Sequence, residues 1–259
     1  MSVRTLGFVG GGRITFAILT GLNKKRMNFD SVLVSDPDGA ALAKLEKAGL
    51  AAVPAPLESV LRAEAVFLAV HPPVLKTLLP EIARSAATGA LIVSLAPKLG
   101  LRDLAAALEG RSQLARVNPS ALCFMNRGVN AVSFGPGLTA ENRDFLLDLF
   151  SRLSRAVVVD DELIEAYAVV NAMGPTYFWF QYRALRDLGL RFGLEKSAAE
   201  AAIADAVCGA AEALFFSGLD EPGVLDLIPV HPLKQDEEQW KKTIEERLAA
   251  VFEKIRVAP

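Results

Sequence analysis

Two groups of residues in this 259-residue chain have the types and spacing to do chemistry. The first is Gly10-Gly11-Gly12, entered from the short apolar run Leu6-Gly7-Phe8-Val9 and followed at helical spacing by Ile14, Ala17, Ile18 and Leu22. Strand, glycine turn and helix in that order open a dinucleotide-binding βαβ unit. The first glycine permits a tight turn, the second lets backbone N–H groups approach a pyrophosphate, and the positive end of the helix holds its charge. Gly10, Gly12, Arg13 and Ile14 are therefore the candidate phosphate contacts. Counting G-x-G-x-x-G/A from Gly10 puts Thr15 at the third position, where a smaller residue lets helix and strand pack closely.

Further candidates follow at the ends of later apolar runs. Asp36 comes about 24 residues after Gly12, where a carboxylate accepts hydrogen bonds from ribose hydroxyls and repels a 2′-phosphate. An Asp-Pro turn explains the same residue, and Ser35 beside it is an alternative phosphate contact. Ala69-Val70-His71-Pro72 and Asn118-Pro119 terminate two more runs at the edge where ligands of open α/β sheets lie. Their backbone, the His71 imidazole or the Asn118 amide can face the nicotinamide or adenine half; plain turns explain them too. The second group is Met173-Gly174-Pro175, where proline breaks a helical pattern and exposes backbone groups suited to a small carboxylate or the nicotinamide ribose.

The elements that must position these groups alternate in the first part of the chain. Strands are expected at 3–9, 31–35, 65–70, 90–94, 114–117, 129–133 and 155–159, with helices at 13–26, 38–48 and 139–153. That pattern implies an N-terminal Rossmann domain with a parallel-type sheet over residues 1–159. From Asp160 the periods become long, helical and rich in Ala and Leu, so residues 160–259 read as an all-helical domain. Helices are expected from 160, near 196–217, 221–228 and 236–255, and the aromatic stretch Tyr177 to Tyr182 reads as helix core or interface.

Composition narrows the function classes. The net charge of −2 provides no basic field for nucleic acid or an anionic membrane, and 52% hydrophobic residues suggest an apolar surface covered by another subunit. No apolar run reaches transmembrane length, and the start leads directly into a strand, so a cytoplasmic protein is expected. Cys123 and Cys208 read as buried free thiols. With His71 and His231 the only histidines, a zinc site of several histidines is excluded, and no metal is expected.

In their order these motifs resemble the pyrroline-5-carboxylate reductase family over nearly the whole chain. Gly7-Phe8-Val9-Gly10-Gly11-Gly12 is similar to its GFIGAG, Ala69-Val70-His71-Pro72 to its AVKP, and Arg116-Val117-Asn118-Pro119-Ser120 to its RVMPN. Asn171-Ala172-Met173-Gly174-Pro175-Thr176-Tyr177 is similar to its SGSGPAY, and Gly189 with Gly193-Leu194 to its DAGVxxGL. The resemblance implies a Rossmann domain, a helical dimerisation domain that makes a homodimer or higher oligomer, and NADP or NAD as cofactor. It implies reduction of a cyclic imine, 1-pyrroline-5-carboxylate to proline or a related imino acid.

The chain departs from the family where the substrate carboxylate would sit. The family's SPGGTT is replaced by His231-Pro232-Leu233-Lys234-Gln235-Asp236, and both serines of SGSG are gone. Lys234 or His231 then becomes the candidate for replacing the lost donors with positive charge, with Asn171 beside the break as a third catalytic candidate. A solvated loop ahead of the last helix is the alternative. The related 3-hydroxyacid dehydrogenases need a K-x-x-N pair, and Glu165 to Asn171 contains no lysine. An oxidoreductase with a different carbonyl or imine substrate and a non-catalytic dinucleotide-binding sensor remain the competing readings.

Overall fold

The structure, a computed structural model, describes residues 4–257. Its sheet has eight strands in the order β3-β2-β1-β4-β5-β6-β7-β8. They are β1 (Thr5–Val9), β2 (Ser31–Ser35), β3 (Val53–Pro54), β4 (Ala65–Leu68), β5 (Leu91–Ser94), β6 (Leu114–Asn118), β7 (Val129–Phe134) and β8 (Arg155–Val158). All neighbouring pairs are parallel except β6 and β7. The Rossmann architecture expected from the alternation is therefore present.

The central strands β1, β4 and β5 are largely apolar and buried because both faces of the sheet are covered there. In β4 the alternate residues divide between two cores. Ala65 and Phe67 join Phe8, Ile18 and Phe150 on one face, while Val66 and Leu68 join Leu75, Ile92 and Leu104 on the other. The Phe8 and Phe67 rings stack with centroids 4.8 Å apart, and Phe150 meets Phe67 edge-on.

Crossover helices α1 (Arg13–Lys24), α2 (Gly39–Lys47), α3 (Leu57–Leu61), α4 (Pro72–Ser85), α5 (Leu101–Ala107) and α6 (Ala140–Leu153) connect the strands. Asp38 and Thr139 cap α2 and α6 through their side chains, and Gly49 follows α2 with a φ of +65°. The run expected as a strand to residue 70 stops at Leu68. His71-Pro72-Pro73 opens α4, because proline suits a first helical turn where its missing N–H is not needed. Strand β3 has no sequence signal: two exposed residues, one of them proline, can pair only at a sheet edge.

By spatial proximity the chain forms two compact units. One comprises the chain up to Ala172 with the segment from Val251, and the other is Met173–Ala250. The last strand ends at Val158, and residues 160–172 group with the first unit, where Asp161 and Glu165 bind Arg116. They do not form one regular helix. A 3₁₀ turn (Asp161–Leu163) leads into α7 (Ile164–Tyr167) and then a π-helical segment (Ala168–Ala172).

The second unit holds α8 (Gly174–Arg191), α9 (Lys196–Phe216), α10 (Glu221–Asp226) and most of α11 (Glu237–Ile255). Among the described residues no strand follows Val158 and no helix is long and apolar enough to cross a membrane. The expected pair of buried thiols is corrected at one position. Cys123 is buried, but Cys208 lies exposed on α9, a helix that is apolar nearly all round and therefore cannot hide every small residue within one chain.

Burial pushes the Cys123 thiol up to about 12, which keeps it protonated and unreactive at neutral pH. A Cys208→Ser variant should therefore show no fast-reacting thiol in the folded protein at about pH 8 and one after denaturation; fast labelling of the folded variant would contradict this burial.

Candidate functional site

The parallel register brings the ends of the central strands to one edge. Gly10 N–H donates to Ser35 O at 2.8 Å, Ala69 N–H to Val9 O at 2.8 Å, and Leu95 N–H to Leu68 O at 3.1 Å. Gly10, Asp36, Ala69 and Asn118 thus stand at the carboxyl ends of adjacent or near-adjacent strands, where open α/β sheets hold ligands.

The glycine turn is built for close approach. Gly10 has a φ of +104°, and a Cβ there would stand 2.6 Å from the Ala69 carbonyl oxygen, so only glycine fits without strain. At Gly12 a Cβ would meet nothing within 4 Å, and no side chain caps α1. The first-turn N–H groups of this 12-residue helix have no side-chain cap, an arrangement suited to phosphate. Thr15 is accommodated in the third position because it is fully buried with its hydroxyl donating to Gly10 O at 2.6 Å. The larger side chain pins the turn instead of spoiling it.

Asp36 lies against this turn, with Oδ2 accepting Gly11 N–H at 2.7 Å and Oδ1 accepting Asp38 N–H at 2.8 Å. The turn reading of Asp36 is therefore present, and the turn lies beside the glycines. Ser35 and Ala69-Val70 are half-buried at the edge; His71 is exposed and makes no capping bond to α4. Asn118 Nδ2 is buried without a hydrogen-bond partner. An unmet buried donor costs about 1–3 kcal/mol, a cost that a carboxamide or ribose acceptor at this edge would relieve. Pro119 beside it is buried. A glycine cradle, an uncapped helix N-terminus and an orphaned amide together fit a dinucleotide.

A second cluster is centred on Arg116, the first residue of the Arg116-Val117-Asn118-Pro119-Ser120 motif. Arg116 on β6 is fully buried; its Nη1 pairs with Asp161 Oδ1 at 2.7 Å and its Nη2 with Glu165, itself 1% exposed. Glu165 also accepts Lys98 N–H at 3.2 Å, and Asp161 Oδ2 accepts Leu101 N–H at 2.7 Å. One guanidinium thereby ties β6, the loop after β5 and the residues following β8. The motif does not name the partners of Arg116; their signal in the sequence is two acids four residues apart on one helical face. Asn171, in the π-helical segment, donates its amide to Val129 O at 2.7 Å.

The remaining candidates belong to the second unit. Gly174 is buried and opens α8, Pro175 sits in its first turn, and Met173 O accepts both the N–H and the hydroxyl of Thr176. His231 and Lys234 are exposed and border a cleft of about 800 Å³ lined by Phe178, Leu185, Arg191 and Trp240. Trp240 stacks on Phe180 with centroids 6.0 Å apart. Glu237 is held below the usual carboxylate range first by its hydrogen bond from Lys241, with Lys234 and His231 adding weakly.

Sheet order, glycine turn and helical second unit define a two-unit Rossmann protein of the dinucleotide-dependent oxidoreductase class. The family model described as "NADP oxidoreductase coenzyme F420-dependent" matches residues 5–98. The chain is 28% identical over 225 residues to the pyrroline-5-carboxylate reductase of Escherichia coli, covering 86% of this chain and 83% of that one. To the Haemophilus influenzae reductase it is 27% identical over 215 residues, covering 82% and 79%. The crystal structure of the Plasmodium falciparum pyrroline carboxylate reductase with NADP bound superposes with a TM-score of 0.82 at 18% identity, covering 98% of this chain and 97% of that one. The Streptococcus pyogenes reductase does so with 0.82 at 19%, covering 98% and 99%. Over most of its length the chain is thus similar to pyrroline-5-carboxylate reductases in sequence and in fold.

Three substitutions test the site's supports. Arg116→Met strands two carboxylates at a buried position and should lower unfolding free energy by about 3–5 kcal/mol, whereas Glu165→Gln, which leaves a hydrogen-bonding amide, should cost less. Gly10→Ala should abolish dinucleotide binding, measured by nucleotide fluorescence, while the protein still folds; unimpaired binding would contradict the cradle.

Proposed function

We propose that the protein is an NADPH- or NADH-dependent reductase of a cyclic imine, taking 1-pyrroline-5-carboxylate to proline or acting on a related imino acid. The observation that carries the reading is the gathering of the glycine cradle, the uncapped α1 N-terminus and the unpartnered Asn118 amide at one sheet edge. Similarity to the pyrroline-5-carboxylate reductases supports the reaction type. When bound, the reduced nicotinamide would supply hydride to a C=N bond; a protonated imine is already electrophilic, so the protein's task is chiefly positioning. Gly10, Gly12, Arg13 and Ile14 hold the pyrophosphate, Ser35 and Asp36 face the adenosine ribose, and Ala69, Val70, His71, Pro72, Asn118 and Pro119 border the rest of the cofactor.

Substrate recognition is assigned to Met173-Gly174-Pro175 with Asn171, and to Lys234 and His231 as the cations that meet the carboxylate in place of the lost small donors. The protein works in the cytoplasm as a homodimer or higher homo-oligomer through its helical unit. That unit cannot bury its own apolar surface. Of the 21 residues of α9 only Ala199 is buried, and Phe192, Phe215 and Phe216 are 75%, 70% and 81% exposed. Patches of this kind mark subunit contacts.

Purified protein should oxidise NADPH or NADH when given pyrroline-5-carboxylate, with proline as product, at about 1–1000 turnovers per second. Cofactor binding without turnover would shift the assignment to another imino acid or a binding role. Lys234→Ala and His231→Ala should raise KM more than they lower kcat; if both leave both constants unchanged, neither side chain holds the substrate. Light scattering should give a dimer or larger at micromolar concentration, and a monomer there would overturn the self-association.

A further inference from the structure

The proposed reductase function leaves open which dinucleotide this chain takes, and the preference inferred below for one of them rests on that function. The turn after β2, Ser35-Asp36-Pro37-Asp38-Gly39, carries two carboxylates, and no Lys or Arg occurs between Arg26 and Lys44. Asp36 is not a loose surface charge. Its two oxygens are fixed by the N–H groups of Gly11 and Asp38 at 2.7 and 2.8 Å. The glycine loop lies directly on it, since a Cβ built on Gly11 would stand 3.4 Å from Asp36 Cβ. Asp38 is engaged as well, capping α2 through Ala40 N–H at 2.9 Å.

This locks a carboxylate beside the pyrophosphate cradle at the end of the second strand, where Rossmann folds meet the adenosine ribose. A carboxylate accepts hydrogen bonds and donates none. Its oxygens retain lone pairs for ribose hydroxyls, while a 2′-phosphate would bring like charge against Asp36 with Asp38 nearby in the same turn. Because Asp36 also holds the Gly11 N–H, it cannot swing away to relieve that repulsion without releasing the loop. The geometry points to Asp36 as the specificity-determining residue and to NADH, rather than NADPH, as the dinucleotide of this protein. Arg13, exposed at the first position of α1, is the cation whose charge would favour the opposite choice.

The test is direct binding of NADH and of NADPH to the full-length protein, read by nucleotide fluorescence at low and high salt, with circular dichroism confirming the fold of each variant. The wild type should bind NADH at least about tenfold more tightly than NADPH, and the gap should narrow with salt as the like charges are screened. Asp36→Asn keeps an oxygen for Gly11 N–H but removes the charge; it should tighten NADPH binding about tenfold while changing NADH less. Asp36→Ala also loses the strap on the loop and should weaken both. Wild-type binding of NADPH as tight as or tighter than NADH overturns the inference, and loss of that preference in Arg13→Ala would identify Arg13 as the reason. If folded wild type binds neither nucleotide, the dinucleotide reading itself falls.

Discussion

A guanidinium enclosed in the sheet has to be neutralised where it stands, because water cannot reach it and arginine does not give up its proton. Arg116 meets this demand with two acids from beyond the last strand, Asp161 and Glu165, and each acid spends a further lone pair on a backbone N–H, Glu165 on Lys98 in the loop after β5 and Asp161 on Leu101 at the start of α5. The consequence is mechanical. Strand β6, which ends in Asn118, the 98–101 loop and the first residues after β8 share one buried charge cluster, so none of them can move without leaving an ion unpaired. Arg116 Nε still lacks a partner, which leaves the cluster short of one bond on its arginine side.

The same economy builds the glycine turn. Backbone N–H groups near the cradle are taken either by neighbouring strands, as with Gly10 on Ser35, or by Asp36, as with Gly11. Thr15 adds a bond from inside the helix to the carbonyl of Gly10. What is left without an internal partner is the end of α1, open to solvent and carrying the positive pole of the helix. The edge is rigid where it supports and bare where a phosphate would bind.

The helical unit obeys different physics. The Rossmann sheet completes two cores within one chain, whereas α9 presents apolar side chains on all sides and α8 leaves Phe178, Trp179 and Phe180 about half exposed. Such a surface is costly in water, and the proposed self-association would cover it by bringing together the same faces of two copies. Cys208 is exposed for the same reason: small residues on such a helix are hidden only by what packs on it.

Local chemistry was legible in the sequence wherever a residue's meaning depends on its chain neighbours. The β-branched runs named the main strands, glycine and proline marked the ends of α2, α4 and α8, and Gly10 to Gly12 announced the cradle, because backbone sterics act over a few residues. The sequence by itself thus determined a Rossmann half followed by a helical half, and which side chains stood at strand ends. Only the tertiary structure decided the partners of Arg116, which lie 45 and 49 residues away, the reversed direction of β7, the edge pairing of Val53–Pro54 and the bond that makes Asp36 part of the glycine loop. Those depend on which distant segments the closed sheet brings within hydrogen-bond reach, and burial then makes each such pairing obligatory.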